Sequence, residues 1–323
     1  MLLFLSLTGL ILSVILLYFN ARKYRSSIYL SVFFFLVSLY GFLHYVIVYS
    51  GSVLLTGLLF FNIAFLTYLI GPMLYWYVRS VLSDDHRLKK WDFWHFLPAL
   101  VFLATAIPYL ITPWWHKTGI ASRLVEDIGY IKEIKPSILY EIVPVPIIFI
   151  SRPALVLVYT LWSTCVFIRY IRNRQTFAVL SHQRYVTKWL SVLLGFMFML
   201  VISHLLSLGE AYALGDIKIY FTLNILQILS LSGLAGLLIS PFFFPGILYG
   251  LPRFPQSLPA LTPINGSTAY LPAGGKKHTP VFESDYLFFI RDKVDSCMKE
   301  CQPYLQQDCN LAYISKLTQV PVH

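Results

Sequence analysis

Six polar side chains interrupt long apolar runs: His44, Asn62, Arg152, His204, Asn224 and Gln227. In a hydrocarbon layer no water can satisfy such groups, so they turn toward a bundle interior, a cavity or one another, and by default they point to function. His44 and His204 form a candidate ligand contact or pH-sensitive pair, the alternative being imidazoles hydrogen-bonded between helices. Asn224 and Gln227 are three apart and are expected on one face of the last span, as a polar stripe that either relays a signal or joins helices. Arg152 precedes Pro153 near a span end, so its long stem is expected to snorkel toward the headgroups. Asn62 is a further candidate sensor residue. The chain contains no HExxH, no GxSxG, no paired acidic motif and no glycine-rich phosphate loop, and Asp84-Asp85 stands unsupported in a basic loop, so no enzymatic activity is expected. Cys165, Cys297, Cys301 and Cys309 match no zinc spacing, and no metal or other cofactor is implied.

The elements that must position these groups are membrane helices. Apolar residues are 57% of the 323-residue chain and charged residues 12%, against roughly 45–50% and about 25% in soluble domains. A spanning helix needs about 20 mostly apolar residues. Seven stretches qualify: Leu2–Tyr18, Ile28–Tyr49, Val53–Val78, Phe93–Ile111, Ile147–Ile168, Trp189–Leu208 and Phe221–Leu238. The first has no basic n-region and no small-x-small cleavage site before Arg22, which reads as a retained span rather than a signal peptide. Trp76, Trp91, Trp94, Trp114, Trp115 and Trp189 lie near span ends, where indole rings are expected to anchor at headgroup level.

The formal charge of +10 is distributed unevenly. One set of loops holds Arg22, Lys23 and Arg25, then Arg79, Arg87, Lys89 and Lys90, then Arg169 through Lys188. The other holds fewer cations, Lys117, Arg123, Lys132, Lys135 and Lys218, offset by Glu126, Asp127, Glu133, Glu141, Glu210 and Asp216. Because Lys and Arg accumulate on the cytoplasmic side, the N-terminus is expected outside and the C-terminal segment in the cytoplasm. Trp114–Val145 is then the longest outer connection and a candidate ligand-facing element.

From Pro241 to Pro280 the composition turns to Pro, Gly, Ser and Thr, a linker that cannot hold one continuous helix. Helical periodicity returns over Phe282–Leu305, with Leu287, Ile290, Val294, Cys297, Cys301 and Tyr304 on one face. The two cysteines are expected to be core packing. A second short helix begins at Asn310, a good N-cap, with Leu311, Ile314 and Leu317 on its buried stripe.

Residues 282–323, through Cys301-Gln302-Pro303-Tyr304-Leu305, Asn310-Leu311-Ala312-Tyr313-Ile314-Ser315-Lys316-Leu317 and Val320-Pro321-Val322-His323, resemble the start of an AraC/XylS-type helix-turn-helix domain. Ser315 and Gln319 stand where that family usually has alanine and a turn glycine. The membrane part is similar to the seven-helix region of membrane-bound bacterial members in Gly71-Pro72-Met73-Leu74-Tyr75-Trp76-Tyr77-Val78, His95-Phe96-Leu97-Pro98 and Pro245-Gly246-Ile247-Leu248-Tyr249-Gly250-Leu251-Pro252. The resemblance implies Leu311, Ile314, Leu317 and Val320 as scaffold of the DNA-binding domain, and Lys316 as a phosphate contact, since the first helix of such a unit crosses the backbone. It places the recognition helix beyond His323.

The expected architecture is all-α: a seven-helix transmembrane sensor over residues 1–240, a Pro/Gly-rich linker over 241–281, and the incomplete start of a helix-turn-helix domain over 282–323. The resemblance implies a one-component transcription regulator of the bacterial inner membrane. Its expected partners are the lipid bilayer, a small-molecule or lipid ligand, a second copy in a homodimer, and DNA for the full-length protein alone. The alternative is a seven-helix receptor or transporter whose C-terminal helices dock partners.

Overall fold

Apolar runs become helices here because, without water, intrahelical bonding is the simplest way to satisfy the backbone. The computed structural model describes residues 1–20, 25–83, 87–174, 181–248, 292–293 and 296–297. The chain divides into two units, Met1–Ser257 and Leu258–His323. In the first, α1 (Leu2–Asn20) and α2 (Ser26–Tyr49) are followed by α3 (Val53–Leu59), a 3-10 turn (Ala64–Leu69) and α4 (Ile70–Ser83). A second 3-10 turn (Lys90–Phe96) leads into α5 (Leu97–Leu110). Short α6 (Trp114–Glu126) and α7 (Leu139–Ile142) precede the long α8 (Val145–Arg174) and α9 (Ser181–Ala213), and α10 (Lys218–Phe221), α11 (Ile225–Phe243) and α12 (Pro245–Leu248) complete the unit.

Among the described residues, six helices are long and apolar enough to cross a membrane, and the bent pair Val53–Leu59 with Ala64–Ser83 makes a seventh if it is one span. Each coincides with a stretch expected from hydropathy. The third, however, is broken rather than straight, with a 53° bend. Phe61 adopts φ 62°, a left-handed conformation that ends α3. Asn62 donates from Nδ2 to the carbonyls of Gly57 and Leu58, at 3.1 and 2.8 Å, so the last carbonyls of α3 are satisfied by a side chain.

Contacts run α1 to α2, α2 to α4, α4 to α8, α8 to α9, α9 to α11, and α11 back to α1, closing a ring. Small residues permit the close approaches. A Cβ on Gly71 would sit 2.6 Å from the Tyr159 ring, and one on Gly233 would sit 2.9 Å from the Leu200 backbone nitrogen, so glycine brings α4 onto α8 and α11 onto α9. Two hydrophobic cores result. Leu12, Phe33, Phe34, Leu74 and Trp189 belong to one, and Phe61, Phe102, Tyr109, Ile148 and Leu208 to the other.

Three local expectations change. Trp76 and Trp189 are 1% and 0% exposed, and Trp189 donates to the Tyr77 hydroxyl at 2.7 Å, so both are core residues rather than interfacial anchors; Trp91, Trp94 and Trp115 remain exposed. The connection after Trp114 is largely helical, with α6 packed on α3. Helix also continues past residue 240 through Pro241. Proline cannot bond the carbonyl of Leu237, and the Ser240 hydroxyl donates to that carbonyl instead, at 2.9 Å.

Candidate functional site

A cavity of about 520 Å³ lies among α1, α2, α4, α8, α9 and α11. Its walls are apolar, including Val37, Ile70, Val156, Met197, Val201 and Leu234. Polar side chains also line it: Tyr40, His44, Tyr45, Tyr49, Thr67, Arg152, His204, Gln227 and Ser230. A neighbouring cavity of about 60 Å³, bordered by Phe60 and Phe61 at the break of the third span, shares Tyr40, His44, Arg152 and His204 with the first. At 1.5 Å per residue, Tyr40, Arg152 and His204 lie on the order of 10–14 Å inside the nearer ends of their helices.

The structure brings four of the sequence candidates to this region. The Nε2 atom of His204 is 2.8 Å from the Tyr40 hydroxyl of α2 and 2.7 Å from the Tyr220 hydroxyl of α10. His44 packs its ring on Tyr220 and Phe221 and lines both cavities. The two imidazoles therefore share Tyr220 as a neighbour. Gln227 donates to the Ser207 hydroxyl at 3.2 Å and to the Tyr220 carbonyl, tying the start of α11 to α9 and α10. Arg152 completes the set.

Arg152 does not snorkel. Its Nη2 donates to the Tyr140 hydroxyl at 3.2 Å, and its guanidinium carbon lies 5.8, 5.0 and 5.3 Å from the ring centroids of Phe61, Phe102 and Phe149. Aromatic faces attract the cation and hold it inward. Its Nε is buried without a hydrogen-bond partner. Among the described residues, no carboxylate lies within ion-pair distance of it.

Two candidates serve the backbone instead. Asn62 caps α3 as described and accepts from Lys117 Nζ at 3.1 Å. Asn224 precedes α11 and accepts from the Gln227 amide at 2.9 Å. The expected Asn224–Gln227 helical stripe is thus an N-cap, because the last span begins at Ile225 rather than Phe221. Leu311, Ile314, Lys316, Leu317 and Val320 lie outside the described residues. Cys297 is buried, in keeping with its place on the apolar stripe.

Sequence reasoning missed Tyr40, Tyr140 and Tyr220. One signal was available: Tyr40 and His44 are four apart on α2, so they face the same neighbours. The three membrane motifs meet at the other end of the bundle. Trp76 packs on His95 and Phe96, at 5.8 and 5.1 Å between centroids, Tyr77 holds Trp189, and Trp189 packs on Phe244 beside the Gly246 amide that donates to Tyr185. Next to them Arg79 grips Asp92 through both carboxylate oxygens at 2.7 Å.

The fold and cavity define an all-helical, multi-pass membrane protein with six or seven candidate spans, necessarily in contact with lipid. Comparison with protein-family models, with curated proteins and with solved structures found no match.

Proposed function

We propose that the chain is a membrane-embedded, one-component transcription regulator, in which the helical unit senses a signal and a cytoplasmic AraC-type domain controls transcription by binding DNA. The observation that supports this reading is a ligand-sized cavity with convergent polar groups, in a chain whose residues 282–323 resemble the start of a helix-turn-helix domain. The bias of Lys and Arg toward the loops around Arg25, Arg79 and Arg172 supports a cytoplasmic C-terminus and an outer N-terminus, in the inner membrane of a bacterium. On this reading the membrane unit has no enzymatic role. Ligand in the cavity favours one packing of α9 and α11 over another, and α11 is the last candidate span before the linker to the DNA-binding segment, which acts alone or in a homodimer.

A protein carrying the complete helix-turn-helix domain that this reading requires should retain fragments of its own promoter region, with retention falling steeply as salt rises. Lys316→Ala should weaken retention of all fragments alike. A full-length protein that retains no fragment at any salt overturns the reading. The broken third span beside Arg152 favours a second one, a transporter, because discontinuous spans commonly frame transported substrates. Ligand accumulation in sealed proteoliposomes separates the two.

A further inference from the structure

We infer that the larger cavity binds a lipophilic monoanion, a single carboxylate on an apolar tail, with the carboxylate on the Arg152 guanidinium and the tail along the walls made by α2, α9 and α11. The inference deepens the sensor reading and rests on it only for its biological consequence.

The argument begins with charge. A guanidinium carries five donors and a permanent positive charge. At Arg152 the described partners are the phenols of Tyr140, Tyr68 and Tyr40 and three aromatic faces, all of them neutral, and its Nε is buried and unbonded, as is that of Arg79. Arg79, in the same unit, shows what the fold does when it neutralises a guanidinium itself: Asp92 takes both Nη atoms at 2.7 Å. Among the described residues nothing plays that part for Arg152, so an anion is what its environment lacks.

The walls then set the rest of the molecule. From Arg152 the cavity continues along Val156, Met197, Val201, Leu231 and Leu234, which offer contact to hydrocarbon and no partner for a second polar group. Among the described residues Arg152 is the sole Lys or Arg lining the cavity, so a monoanion balances it while a phosphate dianion would carry excess charge. Tyr40 and His204, which line the same cavity, can complete the coordination of the second carboxylate oxygen. The lining also includes the exposed Tyr49 and Leu223, which mark a mouth. A volume of about 520 Å³ lies inside the range of roughly 300–1,000 Å³ usual for small-molecule sites.

The test uses the whole protein in phosphatidylcholine nanodiscs, titrated with radiolabelled decanoate and oleate and with the matching alcohols, empty nanodiscs serving as background. Saturable binding of an acid is expected, with the alcohol of the same chain bound roughly ten-fold or more weakly. Arg152→Gln should weaken acid binding by a similar factor and leave alcohol binding little changed, with Arg152→Lys retaining part of the preference. Ser230→Trp, which fills the cavity from α11 without touching the guanidinium, should abolish both. Preference for oleate assigns the ligand to the bilayer and preference for decanoate assigns it to the aqueous phase; either supports the inference. Equal binding of acid and alcohol by the unaltered protein overturns it, as does an absence of saturable binding, and neither outcome depends on the folding of a variant. Because no DNA is present, failure here is distinct from failure of the promoter-retention experiment.

Discussion

Arg79 and Arg152 are the same side chain in two opposite settings. Arg79 makes a two-pronged pair with Asp92, adds a bond to the Arg87 carbonyl at 3.2 Å and lies over the Tyr75 ring. The pair is mostly buried, with side-chain exposures of 15% and 7%. Asp92 in turn accepts from the Lys89 amide at 2.7 Å, so the pair fixes the entry to the fourth span. Arg152 has no such counterpart and borders open volume. The difference separates two uses of a charge within a helical bundle. A cation neutralised by the fold holds elements together; one left without a carboxylate, beside a cavity, is available to something that enters.

The comparison can be broken at its stronger arm first. Asp92→Ala strands the Arg79 charge and should cost about 3 kcal/mol or more, measured by unfolding in detergent, with Arg79→Leu in the same chain recovering much of the loss. An Asp92→Ala protein as stable as the parent would remove the distinction. The packed end offers a second, smaller effect. Tyr77→Phe leaves the buried Trp189 Nε1–H without its acceptor and should cost about 1–2 kcal/mol. Tyr40→Phe should cost less, since His204 keeps Tyr220.

At the cavity end the expected sign changes. Arg152→Met exchanges an unbalanced charge for an apolar side chain of similar length, and should hold stability or raise it by about 1 kcal/mol, read in the same unfolding assay. A loss as large as that of Asp92→Ala would mean that Arg152 is a structural cation after all. The smallest effect belongs to the exposed connection. The Gly129 amide and the Lys218 ammonium, 3.0 Å away, hold the Asp127 carboxyl below its ordinary pKa. Its contribution is therefore complete above the ordinary carboxylate range and lost as pH falls through the depressed value. The stability difference between the parent and Asp127→Asn should be slight at neutral pH and vanish in acid; a difference that grows on acidification would contradict the assignment.

The candidate spans were legible because each is a local property. An apolar run long enough to cross hydrocarbon forms a helix whatever its neighbours, and each of the seven stretches reappears. Finer features were not. The break at Phe61 follows no proline or glycine; it is held by the Asn62 side chain on the carbonyls of Gly57 and Leu58. Trp76 and Trp189 sit near span ends in the sequence, where hydropathy cannot distinguish an indole facing headgroups from one packed, as here, on Tyr29 and Phe96 or bonded to Tyr77. Asn224 and Gln227 have the spacing of a helical face, yet the same spacing is that of an N-cap and the amide it satisfies. Of the site, His44, His204 and Gln227 were visible as isolated polar residues in apolar runs, whereas the tyrosines that join them were hidden among the many aromatic residues of a membrane chain.

Composition and hydropathy by themselves determined a multi-pass helical membrane protein and the approximate limits of its spans, because the solvent acts on each segment separately. Only the tertiary structure decided where Arg152 goes. Phe149 lies one turn before it on α8, but Tyr140, Phe61 and Phe102 reach it from three other segments of the chain. Their attraction for a cation exists only once the helices have met, and it turns toward a cavity a side chain whose local sequence points to the headgroups.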